Sequence, residues 1–222
     1  MKNRISSINK MLILSIAFAM LLLSIRIILT HKLTYIFFAW NTFLAVMPLL
    51  FSNMLVKQSG INFKSICILL SWLIFYPNAP YIITDLFHYV ERPPIPYWFD
   101  LLICISAVWN GLILGLISLI QVEHFLMLHL RPLVVKIIVL SSFVLCSYGI
   151  YIGRFLRFNS WDIITDIDGL FDASIQRIMH PFQHTTTWGF TILFAVMMAL
   201  FYYTIKSIIN RREQQNRVVE GI

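Results

Sequence analysis

A chain of 222 residues that is 59% hydrophobic and only 12% charged, with mean hydropathy +0.80, has too few charges to cover a water-facing surface. Soluble domains carry about 25% charged residues. The net charge is +7, but the basic residues sit between apolar blocks and form no stripe, zinc-finger spacing or other nucleic-acid motif, so nucleic acid is excluded as a partner and lipid takes its place.

A membrane-crossing helix needs about 20 mostly apolar residues. Six blocks meet that length: 11–29, 34–56, 63–84, 97–122, 133–152 and 188–207. The fold class expected is therefore all-α, a polytopic membrane helix bundle of six spans in one domain over residues 1–210, with a polar, mobile cytoplasmic tail at 211–222. The first block follows Lys2, Arg4 and Lys10. It has no small-residue cleavage site, and Arg26 comes close behind its apolar run, so it reads as a retained helix rather than a removed leader. Cys67, Cys104 and Cys146 lie in or beside apolar blocks without CxxC spacing and read as small hydrophobes.

Lysine and arginine set orientation. With the N-terminus inside, the inner set is Lys2, Arg4, Lys10, Lys57, Lys64, Arg131, Lys136, Lys206, Arg211, Arg212 and Arg217. The outer set is Arg26, Lys32, Arg92, Arg154, Arg157 and Arg177, so the bias favours both termini in the cytoplasm. Most acidic residues then fall outside: Asp85, Glu91, Asp100, Asp162, Asp166, Asp168 and Asp172.

In the third block, Pro77 and Pro80 lack amide protons and restrict the residues before them. The expected break lies near Asn78, with a restart near Pro80, a favourable first helical position. On a resumed helix Asp85 and His88, three residues apart, share a face. A broken helix is tolerated in lipid only beside protein or a water-filled cavity, which places either a polar pocket here or a proline kink at the boundary with both side chains in water. Asp100 opens the fourth block, either as a helix-N-terminal acid or facing the same pocket. Deeper in that block, Gly111 and Gly115 permit close helix packing. Asn110, like Asn41 in the second block, needs a hydrogen-bond partner, either in a neighbouring helix or as part of a site.

After the fifth block comes the longest exterior segment, 153–187. Arg154 and Arg157 share a face if the helix continues outward, and two guanidiniums there can clamp a phosphate or carboxylate, snorkel to headgroups, or pair with Asp85 and Asp100. Beyond them Ile163, Ile164, Ile167, Leu170, Phe171, Ile175 and Ile178 recur at helical steps. The reading is an amphipathic exterior helix around 161–179, capped by Asn159 or Ser160, with Asp162 as a capping-box acid. It would lie on the outer membrane surface or over the bundle. Its negative charge makes apolar packing, not attraction to anionic lipid, its anchor. His180 and His184 add zinc-ligand types to Asp85 and His88, but Pro181 disfavours helix at His180 and no HExxH is present, so no metal is assigned. No phosphate loop, nucleophile elbow or cofactor fingerprint occurs, which leaves cofactors unknown.

Several of these strings resemble a known family. Pro77-Asn78-Ala79-Pro80, then Thr84-Asp85-Leu86-Phe87-His88, then Tyr97-Trp98-Phe99-Asp100, and Gly153-Arg154-Phe155-Leu156-Arg157-Phe158-Asn159-Ser160-Trp161-Asp162 are similar to the bacterial membrane proteins grouped as domain of unknown function 1361. The resemblance implies a multi-span protein of the bacterial plasma membrane and supplies no activity and no catalytic residues. Read from the residues, one hypothesis is a polar site at the extracytoplasmic face acting on or binding a lipid headgroup or other envelope anion. Asp85, His88 and Asp100 would be its acid–base groups, and Asn78, Arg154, Arg157, Asn159 and Asp162 its ligand-binding groups. The alternatives are a non-enzymatic partner in an envelope complex and a small permease built on the broken third helix.

Overall fold

The computed structural model describes residues 2–158, 160 and 162–220, and these are all-helical, with no strand among them. In chain order the elements are α1 (Lys2–Thr30), α2 (Phe37–Leu55), α3 (Phe63–Phe75), α4 (Asn78–Tyr81), a 3₁₀ helix (Ile82–His88), α5 (Tyr97–Met127), α6 (Pro132–Tyr151), a π-helical turn (Ile152–Leu156), α7 (Asp162–Thr165), α8 (Ile167–Met179) and α9 (Thr185–Glu220). Six segments are long and apolar enough to cross a membrane: Lys10–Thr30, Phe37–Leu55, Phe63–His88, Tyr97–Met127, Pro132–Leu156 and Thr185–Arg211. Each contains or closely matches one expected block. The fourth runs on to Met127, and α9 continues as helix through Glu220, where the sequence reads as a separate mobile tail.

The chain divides into two compact units, Met1–Gln121 and Val122–Ile222. In the first, residues of α1, α2, α4 and α5 close around one core that includes Leu23, Phe38, Ala45, Ala79, Ile82, Ile103, Ala107 and Leu114. Asn62 opens α3 with a capping box: its side chain accepts from Ser65 N at 2.9 Å, and its own N–H donates to Ser65 Oγ at 2.8 Å.

The third span breaks as its prolines require, slightly earlier than expected. α3 ends at Phe75, Pro77 stands before α4, and Pro80 falls within the first turn of α4 rather than opening it. A first-turn N–H has no intrahelical acceptor, so Pro80 costs nothing there. Asn78 donates its side-chain amide to the Phe75 carbonyl at 3.0 Å, satisfying an acceptor that the break frees. Against this break α5 approaches at two glycines. A Cβ on Gly111 would stand 2.4 Å from the Ala79 carbonyl oxygen, and one on Gly115 would stand 3.1 Å from Ala79 Cβ. The small-residue pair is therefore what admits the broken segment to the bundle. Trp72, stacked on Tyr76, donates to Ser118 Oγ at 3.2 Å and ties α3 to α5 as well.

In the second unit α6 packs on α9 through aromatic contacts, with Phe143 edge-on to Tyr202 and Tyr151 against Phe190. Glu123, near the end of α5, accepts from Tyr202 OH at 2.5 Å and from Lys206 Nζ. These tie α9 to the start of this unit.

Candidate functional site

In the first unit, the one charge inside the apolar block of α1 meets the acid in the first turn of α5. Arg26 donates from Nε to Asp100 Oδ1 at 2.6 Å and from Nη2 to Asp100 Oδ2 at 3.0 Å. Arg26 is 2% exposed and Asp100 0%. This is a bidentate guanidinium–carboxylate pair removed from water, the arrangement arginine's planar fork suits. The third nitrogen, Arg26 Nη1, is buried and has no hydrogen-bond partner among the described residues.

Tyr35 completes the cluster. It sits in the connection between α1 and α2 with φ 67°, a left-handed conformation that a bulky L-residue rarely adopts. Its ring lies 4.8 Å from the Arg26 guanidinium carbon and 5.0 Å from that of Arg92. Its hydroxyl donates to the Val90 carbonyl at 3.3 Å, binding the α1–α2 connection to residues 89–96. Burial, with the Asp100 carboxylate adding to it, pushes the Tyr35 phenol above its ordinary pKa. Backbone strain of this kind persists only where the surroundings over-determine it, and it concentrates at binding sites.

Asp85 and His88 occupy one row of the 3₁₀ helix, since side chains three apart eclipse in that geometry. The row runs antiparallel to the Phe37–Asn41 row of α2. Asn41 donates to Asp85 Oδ2 at 2.6 Å, and the His88 ring meets Phe37 edge-on at 5.9 Å. Asp85 is 2% exposed while His88 is exposed, so the shared face expected from their spacing exists but divides by depth. Asn110, in mid-helix, donates to the Ser15 carbonyl of α1 at 3.2 Å, the neighbouring-helix bond its position called for.

The remaining candidates belong to the second unit. The helix carrying Arg154 does not continue outward. It widens into the π-helical turn, and Arg157 ends it in a left-handed conformation at φ 65°, its N–H donating to the Ile152 carbonyl. The condition on which Arg154 and Arg157 would share a face, a helix continuing outward, is therefore not met. Asp162 starts α7 and accepts from Thr165 Oγ1 at 2.9 Å. Asn159 and Trp161, the cap and first residue expected of the amphipathic helix, lie outside the described residues. The observed cap of α8 is Asp166, whose side chain accepts from Gly169 N at 3.2 Å, so the amphipathic segment is two helices rather than one. Among the described residues no three His, Cys, Asp or Glu side chains gather as a metal ion would require.

Sequence reasoning reached Asp85, His88 and Asp100 but not Arg26, Tyr35 or Arg92, and it considered Asn41 without its partner. One signal was available. Arg26 is the only charge inside the first apolar block, and a charge there needs a counter-charge from another span.

The model of the family described as "Protein of unknown function (DUF1361)" matches residues 40–201. The chain belongs to this family. The match takes in Asn41, Asp85, Arg92 and Asp100, while Arg26 and Tyr35 precede it. No curated protein and no solved structure matches the chain. Membership in the DUF1361 family, together with six apolar spans, makes this a multi-pass membrane protein.

Proposed function

We propose that this DUF1361 protein sits in the bacterial plasma membrane with both termini in the cytoplasm, and that its first unit binds an anionic headgroup or other envelope anion at the extracytoplasmic face. The orientation rests on the distribution of the 17 lysines and arginines, most of which fall on the side of the N-terminus. The observation that carries the binding reading is Arg26. Its guanidinium commits two nitrogens to Asp100 and leaves Nη1 buried with no acceptor among the described residues. A buried, charged donor without an acceptor is costly, and a phosphate or carboxylate oxygen removes that cost.

Arg92, half-buried beside the same tyrosine ring, gives the cluster a second guanidinium. Anion binding is favoured over acid–base chemistry because Asp100 is held by Arg26 and Asp85 by Asn41. Asp85, His88 and Asp100 then position the site. Asn78 serves the helix break, and Arg154, Arg157, Asn159 and Asp162 remain proposed ligand groups of the second unit, each to be tested alone.

The test is native mass spectrometry of delipidated protein titrated separately with phosphatidylglycerol, phosphatidylcholine and inorganic phosphate. Wild type is expected to retain the anionic lipid, or phosphate if a free anion is the ligand, and Arg92→Gln to bind about tenfold more weakly, the loss of one charge-assisted contact. Equal retention of all three probes by wild type and Arg92→Gln would refute the reading.

A further inference from the structure

α8 presents three distinct faces, which together place it at a boundary. Gly169, Leu170, Ala173, Ser174 and Arg177 are half-buried and occupy one side. Ile167, Phe171, Ile175 and Ile178 are exposed, Phe171 at 62%, and at steps of four, four and three they form a second, apolar side. Asp168, Asp172 and Gln176 are exposed on a third side, between the apolar one and Gly169 of the half-buried one. A helix lying on a protein surface in water would need only the first and third of these.

We propose that the Ile167–Phe171–Ile175–Ile178 face of α8 docks into the bilayer interface, with the helix lying where protein, lipid and water meet. The occupant of this face is the lipid that surrounds the protein's own spans, and three observations select it. First, residues 157–184 join two membrane-spanning segments, Pro132–Leu156 and Thr185–Arg211, so both ends of α8 are tethered at one membrane surface. Second, the depth of its C-terminal end is fixed: Trp188, in the first turn of α9, donates its indole N–H to the Arg177 carbonyl at 3.0 Å. Tryptophans at span ends sit at headgroup level. Third, the two spans it joins themselves expose large apolar side chains, Phe155, Ile192 and Leu193, as segments surrounded by lipid do.

Charge then narrows the lipid chemistry. α8 and its cap carry Asp166, Asp168 and Asp172 against Arg177, and Arg177 turns inward to donate to the Ala173 carbonyl at 2.7 Å. Interfacial helices held by electrostatics carry lysine and arginine on the polar face. α8 has carboxylates there, so acyl-chain contact holds it. Its docking should be indifferent to salt and should gain nothing from anionic lipid.

Site-directed spin labelling of the full chain in nanodiscs tests this, in a Cys67→Ser background because Cys67 is the exposed cysteine. Labels on Phe171→Cys and Ile175→Cys should collide preferentially with oxygen, which partitions into lipid. Labels on Asp172→Cys and Gln176→Cys should collide with a water-soluble nickel chelate. The pattern should be the same in phosphatidylcholine alone, with phosphatidylglycerol added, and in high salt. Equal nickel access at positions 171 and 172 would overturn the proposal, since the face would then be in water. So would shielding of position 171 from both reagents, the sign of a protein partner or a second copy covering it. Loss of the oxygen preference in high salt would overturn the apolar anchoring.

Discussion

Replacing Asp100 by asparagine keeps the shape of the side chain and removes its charge, leaving the Arg26 guanidinium in a site that is 2% exposed. Both charge-assisted bonds, at 2.6 and 3.0 Å, are weakened or lost. What then faces the cation is the Tyr35 ring at 4.8 Å, worth about 2 kcal/mol when desolvated. Breaking a buried pair by removing one partner costs about 3–5 kcal/mol. Asp100→Asn is therefore expected to destabilise the protein by about that much, and Arg26→Met by a similar amount. The double variant Arg26→Met/Asp100→Leu removes both charges and fills the space with hydrocarbon, and such replacements of buried pairs are about neutral or stabilising. Its stability should lie within about 1 kcal/mol of wild type or above it, so the two substitutions couple strongly. Equilibrium unfolding of the four proteins by dodecyl sulfate in mixed micelles gives the cycle. If the double variant is as unstable as the sum of the singles, the two side chains do not act as a buried pair and the geometry of the cluster is wrong.

Other substitutions separate the packing claims from the electrostatic ones. Gly111→Ala brings a methyl to 2.4 Å from the Ala79 carbonyl oxygen, so it should cost about 3 kcal/mol by overpacking, whereas Gly60→Ala meets nothing within 4 Å and should be close to neutral in the same dodecyl sulfate unfolding assay. Asn62→Ala removes the capping box of α3 and should cost about 1 kcal/mol, with Asn62→Asp recovering most of it. Asn41→Leu takes the amide donor from the buried Asp85 carboxylate and should cost about 1–3 kcal/mol, while adding Asp85→Leu should restore part of the loss. Because the Tyr35 phenol is raised in the folded state, its contribution is complete below the ordinary tyrosine pKa and fades as pH climbs through the folded value. Tyr35→Phe should therefore flatten the alkaline fall in stability, as read by melting temperature against pH.

Some of this structure was legible because lipid imposes strict rules. The six spans follow from apolar length, and the irregular third span from Pro77 and Pro80, since a missing amide proton has the same effect in any context. Gly111 and Gly115 announced a close approach, although the sequence did not say that the approaching group is the Ala79 carbonyl. The break fell slightly early because proline is harmless within a first turn, a detail the two prolines leave open. The end of α6 lies within a residue of its expected place, but the turn that follows it was not legible, for a different reason. Nothing in Ile152-Gly153-Arg154-Phe155-Leu156 distinguishes a π-helical turn from α-helix, and a left-handed Arg157 is set by its surroundings. Likewise Asp166 had no local advantage over Ser160 as a cap. The central pair was missed because Arg26 and Asp100 are 74 positions apart. Only the rule that a charge within a span needs a partner connects them, and that rule names no partner.

All of the functional reading requires the Arg26–Asp100 cluster to stand at the extracytoplasmic end of its unit. Single-cysteine labelling in intact cells, in a Cys67→Ser background, tests that directly. His88→Cys is exposed at the same end of the unit as the cluster, and Lys57→Cys lies in the connection between α2 and α3 at the other. With both termini inside, a membrane-impermeant maleimide should label position 88 on intact cells and position 57 only after permeabilisation. The reverse pattern would put the cluster in the cytoplasmic leaflet and contradict the account.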